Sequence, residues 1–120
     1  MVNPIHRIAI YVKNMQTTAD FYQENFDFHI VADEAGQLIE LEHSGGGCNL
    51  IILQASKGHR VGQSCVKLVF DVEDVAKFRA EKMKDGLKFG AIHEGDGYEF
   101  SNARDPGKNP IQISSRAYRA

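Results

Sequence analysis

The sequence predicts an α+β fold in which two successive βαβββ modules make up a single domain, residues 1–120, with module one at about 1–56 and module two at about 62–120. Three observations predict it. Each half opens on a strand-like alternation of apolar and polar residues, each then carries a cappable helix with an apolar stripe, and each closes on three strand candidates separated by glycine-rich turns. The two openings, Arg7 to Met15 (RIAIYVKNM) and Lys67 to Val75 (KLVFDVEDV), share their polarity phase, which marks an internal repeat.

In the first half, Ile5 to Val12 alternates with Ile8, Ile10 and Val12 on one side and Arg7, Ala9 and Tyr11 on the other. Asn14 can cap the helix that follows, whose stripe is Met15, Ala19, Tyr22 and Phe26, widened by Phe21. Strands are predicted at Phe28 to Asp33, Gln37 to His43 and Cys48 to Gln54, with turns at Gly36 and at Gly45, Gly46 and Gly47. In the second half, Val66 to Val72 repeats the alternation, with Leu68 and Phe70 opposite Lys67, Val69 and Asp71. Asp74 can cap a helix with stripe residues Val75, Phe78 and Met83, and Gly86 can end it. Strands are predicted at Lys88 to Glu94, Tyr98 to Ala103 and Pro110 to Ser114, with turns at 95–97 and 105–110. The helices must cover one sheet face, so Ile8, Ile10, Leu68 and Phe70 are expected beneath them, and the opposite face is left to line a pocket.

Composition narrows the function classes. The chain has 42% hydrophobic and 25% charged residues, enough apolar content to bury a core and too much for a disordered chain. Its 14 basic and 16 acidic residues are scattered without a basic block, which argues against nucleic acid as partner. The start, MVNPIHRIAIYV, enters a strand directly, with neither a signal-peptide core nor a bilayer-spanning run, so a cytoplasmic protein with no membrane partner is expected. Cys48 and Cys65 form no CxxC and read as free thiols, although both have the parity assigned to the inner face, which leaves a disulfide open.

The order of these motifs resembles the vicinal oxygen chelate superfamily, which includes glyoxalase I, extradiol dioxygenases and bleomycin-resistance proteins. The resemblance runs through IHRIAIYVKNMQTTADFY, with its Lys13-Asn14-Met15 link and Phe21-Tyr22 pair, through Phe70-Asp71-Val72-Glu73-Asp74, and through Arg104-Asp105-Pro106-Gly107 ahead of Ile111-Gln112-Ile113. It implies a cupped mixed sheet with the helices on the outer face and a homodimer. It also implies a divalent metal held in the family's enzymes by His and Glu from inner strand faces. The corresponding positions here are Arg7, Ile52, Lys67 and Gln112, none a usual ligand. Cationic and alkyl side chains do not supply the neutral imidazole and carboxylate donors such ions take. No cofactor is therefore expected. The alternative is a divalent metal held outside the family pattern, by residues such as His6 and Glu40.

The same positions suggest a binding surface. Arg7 and Lys67 are equivalent in the two modules and, both facing inward, would form a two-cation clamp for a carboxylate, phosphate or enolate. Tyr11, Asp71, Gln112 and Ser114 would orient the ligand, and Leu50, Ile52 and Val69 would form an apolar wall. Equally open is neutralisation of the two cations by Glu40, Glu42, Asp71 or Glu99. The histidines His29, His43, His59 and His93 lack HxH or HExxH spacing and read as surface or loop residues; the resemblance implies a ligand contact for the loop 57–60 that carries His59, and His93 is the candidate for a lone general base. The functional expectation is a metal-independent protein that binds a small, anionic molecule. The alternatives are a metal-dependent lyase, isomerase or dioxygenase, and an interaction domain without a ligand.

Overall fold

The computed structural model describes residues 3–58, 60–63 and 65–119. The elements, in order, are β1 (Arg7–Val12), α1 (Met15–Phe26), β2 (Phe28–Glu34), β3 (Leu38–His43) and β4 (Asn49–Gln54), then β5 (Leu68–Asp71), α2 (Val75–Lys84), β6 (His93–Glu94), β7 (Glu99–Arg104) and β8 (Pro110–Ser114). A short 3-10 turn, Arg116–Tyr118, follows. This is the expected α+β fold of two βαβββ modules. Tertiary contacts divide the chain into two compact units, Met1–Gln63 with Pro106–Lys108, and Ser64–Asp105 with Asn109–Ala120. Among the described residues no helix is long and apolar enough to cross a membrane.

In the first unit the strand order is β1-β4-β3-β2, with β1 and β4 parallel and the other pairs antiparallel. The parallel pair forms because α1 carries the chain across between them, the crossover that parallel strands require. Asn14 caps α1 as expected, its side chain accepting from the Thr17 N–H at 3.0 Å. Asp27 ends the helix in a left-handed conformation, φ 59°, a geometry that short polar side chains tolerate. Ala19, Tyr22 and Phe26 are buried on α1, over Ile10, Val12, Ile39, Leu41, Leu50 and Ile52 of the sheet. Thr18 joins the buried stripe because its hydroxyl donates to the Asn14 carbonyl, which satisfies its polar atom within the helix.

The second unit repeats the plan with order β5-β8-β7-β6. Asp74 caps α2 through the Lys77 N–H at 3.0 Å, and Gly86, at φ 94°, follows the helix end. Replacing Asn14 or Asp74 by Ala is expected to lower stability by about 1 kcal/mol each, read as a shift in the urea midpoint. An unchanged midpoint at either position would show that the cap is not holding its helix.

Three local expectations need correction. Met83 is 44% exposed rather than part of the α2 stripe, and of that helix only Val75 is buried. The strand expected at Lys88 to Glu94 shrinks to His93–Glu94. Leu87 and Phe89 do alternate into the core, but the Gly90 carbonyl accepts from Arg79 Nε and Ser101 Oγ, so the acceptor a ladder would use is taken by side chains. The strand expected at Val66 to Val72 is confined to Leu68–Asp71, with Val66 62% exposed before it.

Candidate functional site

Each sheet has a face that the helix does not cover. In the first unit the β1–β4 ladder pairs Arg7 with Asn49, Ala9 with Ile51 and Tyr11 with Leu53, and paired residues of adjacent strands project to the same side. Leu38, Glu40 and Glu42 continue this face on β3, since Leu38 pairs with Leu53 and Glu40 with Ile51. Arg7 Nε donates to Glu40 Oε2 at 3.1 Å in an ion pair with both side chains partly solvated. The first module's cation is therefore held by a protein carboxylate, one of the two outcomes the sequence left open.

Ile52 is not on this face. It pairs with Ile10 and Ile39, is fully buried, and belongs to the layer beneath α1 together with Leu50. The expected apolar wall of Leu50 and Ile52 is thus a core feature, and Ile51 and Leu53 take its place on the open side. The cysteine parity argument falls with it, because Cys48 and Cys65 both lie outside the strands, as free thiols.

In the second unit Val69 pairs with Gln112, Asp71 with Ser114, Gln112 with Asn102 and Ser114 with Phe100. These residues and Lys67 make up the open face of the second sheet. Lys67 Nζ and Gln112 Nε2 both donate to the Oδ1 of Asn102, each at 2.9 Å. Two donors converging on one atom identify it as the amide oxygen and turn the Asn102 NH2 group away from both. Among the described residues Lys67 has this amide partner and no carboxylate within ion-pair distance. The two equivalent cations are therefore treated differently: Arg7 is neutralised and Lys67 is only oriented. Asn102 was missed by sequence reasoning, although a register of the last two strands placing it opposite Gln112 would have found it.

Tyr11 and Val69, 45% and 53% exposed, present apolar surface on the two faces, and Asp71 is exposed beside Ser114. His93 pairs with Phe100, its ring centroid 5.3 Å from the phenyl ring. His29 pairs with Glu42 on the first open face, with Nε2 3.9 Å from Glu42 Oε1 and Nδ1 3.4 Å from Ser44 Oγ. His43 packs edge-on against Phe28 and accepts the Gly45 N–H, a structural role. His59 lies outside the described residues.

The donor set does not fit a divalent ion. At the family's ligand positions Arg7 and Lys67 bring positive charge, Ile52 is buried and has no lone pair, and Gln112 offers only an amide already bonded to Asn102. Glu40 is engaged by Arg7, and His6 precedes β1, its carbonyl accepting the Asn49 N–H. Among the described residues no three His, Cys, Asp or Glu side chains gather to hold a metal.

No curated protein matches the sequence. The fold is shared with solved structures. A lactoylglutathione lyase from Agrobacterium tumefaciens superposes with TM-score 0.76 at 19% identity, covering 94% of this chain and 93% of that one. TnmS3, an antibiotic binding protein from Streptomyces sp. CB03234, does so with TM-score 0.78 at 18% identity, covering 93% and 94%. A glyoxalase family protein from Enterococcus faecalis gives TM-score 0.75 at 24% identity, covering 92% and 96%. The model of the Glyoxalase/Bleomycin resistance protein/Dioxygenase superfamily matches residues 4–113, through both βαβββ modules and both open sheet faces. The chain is a member of that superfamily.

Proposed function

We propose that this protein is a metal-independent small-molecule binding protein that takes up an anionic ligand on the open face of its second sheet. The observation that carries this reading is Lys67, a cation oriented by the Asn102 amide with no carboxylate to neutralise it among the described residues. A carboxylate or enolate oxygen pairs with this exposed ammonium, and Gln112 and Val69 flank it on the same face. The fold likeness to an antibiotic binding protein is consistent with a binding role, and the donor set argues against the metal chemistry of the superfamily's enzymes. We propose further that the protein acts in the cytoplasm as a homodimer. A monomer mass by light scattering would overturn the dimer.

The test is elemental analysis of the purified protein beside a thermal-shift series with Zn²⁺, Ni²⁺, Mn²⁺ and Fe²⁺. The expected result is no stoichiometric metal and no metal-specific rise in melting temperature. A near-stoichiometric metal, or stabilisation by one of these ions alone, would overturn the proposal in favour of a metal-dependent lyase or dioxygenase. In the same series an anionic ligand at about 100 times its Kd is expected to stabilise the fold by about 2.7 kcal/mol.

A further inference from the structure

The second sheet places a row of rings beside Lys67. Phe100 precedes Asn102 by two residues on β7, so the two project from the same face about 6.8 Å apart along the strand. The His93 imidazole lies 5.3 Å from Phe100 at an interplanar angle of 31°, and the Tyr98 ring lies 6.0 Å away at 33°. Tyr98, just before β7, and Phe100 and Asn102 on it thus follow one another as ring, ring, amide, with Lys67 bonded to the amide.

Beyond Tyr98 the charge is again positive. The Arg116 guanidinium sits 5.2 Å from the centre of the Tyr98 ring and donates to its hydroxyl at 3.1 Å, and that of Arg119 lies 5.7 Å from the same centre. Among the described residues neither arginine, nor Lys67, has a carboxylate within ion-pair distance. The carboxylates of β6 and β7 do not supply one: Glu94 and Glu99 are cross-strand neighbours that alternate to the other side of β7, where Glu99 joins Glu73, Asp74 and Glu81 in the hollow beside α2. Asp71 shares the open face but is separated from Phe100 by Ser114 of the intervening strand.

We propose that the ligand is a flat aromatic anion, lying on Phe100 and His93 with its oxyanion at Lys67. The inference rests on the anion-binding reading above and names its ligand class. Phe100 and His93 offer ring surface at similar tilt, which favours offset stacking by a planar system. The Lys67 ammonium, held by the Asn102 oxygen one strand step from Phe100, is placed to pair with a carboxylate attached to such a system. Arg116 and Arg119 fix the Tyr98 ring at the far end and add positive potential along the row.

Isothermal titration of the full chain with three matched probes tests this: 2-naphthoate, its saturated counterpart decalin-2-carboxylate, and its neutral counterpart 2-naphthamide. The expected result is 2-naphthoate binding about ten-fold more tightly than either other probe. Phe100→Leu removes the preference for the aromatic acid over the saturated one, and Lys67→Met removes the preference for the acid over the amide. Melting temperatures of both variants close to that of the parent show that the losses are not unfolding. Equal affinity for 2-naphthoate and decalin-2-carboxylate, with both lost in Lys67→Met, would overturn the aromatic ligand class and leave anion binding standing. Binding of none of the probes, or binding that Lys67→Met leaves unchanged, would overturn both.

Discussion

Ile52→Asp is expected to abolish folding, whereas Ile51→Asp, one residue away, leaves a folded protein. Ile52 is fully buried between Ile10 and Ile39 in the layer under α1. An ionised carboxylate there has no partner and costs several kcal/mol on top of the lost burial of the isoleucine. That sum is comparable to the whole stability of a small domain, about 5–15 kcal/mol. Ile51 is half-buried on the open face, between Ala9 and Glu40, where an added carboxylate keeps contact with water. Urea denaturation of the two variants decides the matter: a folded Ile52→Asp beside an unfolded Ile51→Asp would show that the β4 register is reversed and that Ile52 faces the ligand side after all.

Tyr22→Ala is expected to cost about 3–5 kcal/mol, the range for truncating a large buried aromatic. The Tyr22 ring is fully buried and packs against three others, with centroids at 5.1 Å to Phe21, 6.2 Å to Phe26 and 5.9 Å to Phe28. It ties α1 to the start of β2, so its removal leaves a cavity where helix and sheet meet. The chain has no Trp to take over this role. In the second unit Phe78 is half-buried, with Phe89 at 6.2 Å, and Phe78→Ala is expected to lose less. Equal losses at the two positions, measured by chemical denaturation, would show that the modules are anchored alike and that the first has no dominant aromatic cluster.

The asymmetry between the modules extends to their charges. Arg7 and Lys67 hold equivalent places in the repeat, yet the Arg7 guanidinium forms an ion pair with Glu40, while the Lys67 ammonium bonds to the Asn102 amide and has no carboxylate partner among the described residues. An exposed ion pair contributes little to stability. Its consequence is chemical: the first face has less positive charge to offer an anion, and the second keeps its own.

Features that repeat at a fixed period were legible from residue order alone. The alternation of RIAIYV and the polarity phase shared with KLVFDV placed both opening strands and the sides their residues face, because a half-buried strand must separate apolar from polar residues every second position. Asn14 and Asp74 declared the helix starts, since an orphan N–H at a helix terminus requires a nearby acceptor. What only the tertiary structure decided is where pattern is silent. The β4 sequence NLIILQ is apolar throughout its centre, so no alternation marks its sides, and pairing with Ile10 and Ile39 put Ile52 inside. Likewise the partners of Arg7 and Lys67 depend on which strands lie side by side, a relation between residues far apart in the chain that local order does not encode, and the row of Tyr98, Phe100 and His93 depends on the register of the short β6–β7 pair.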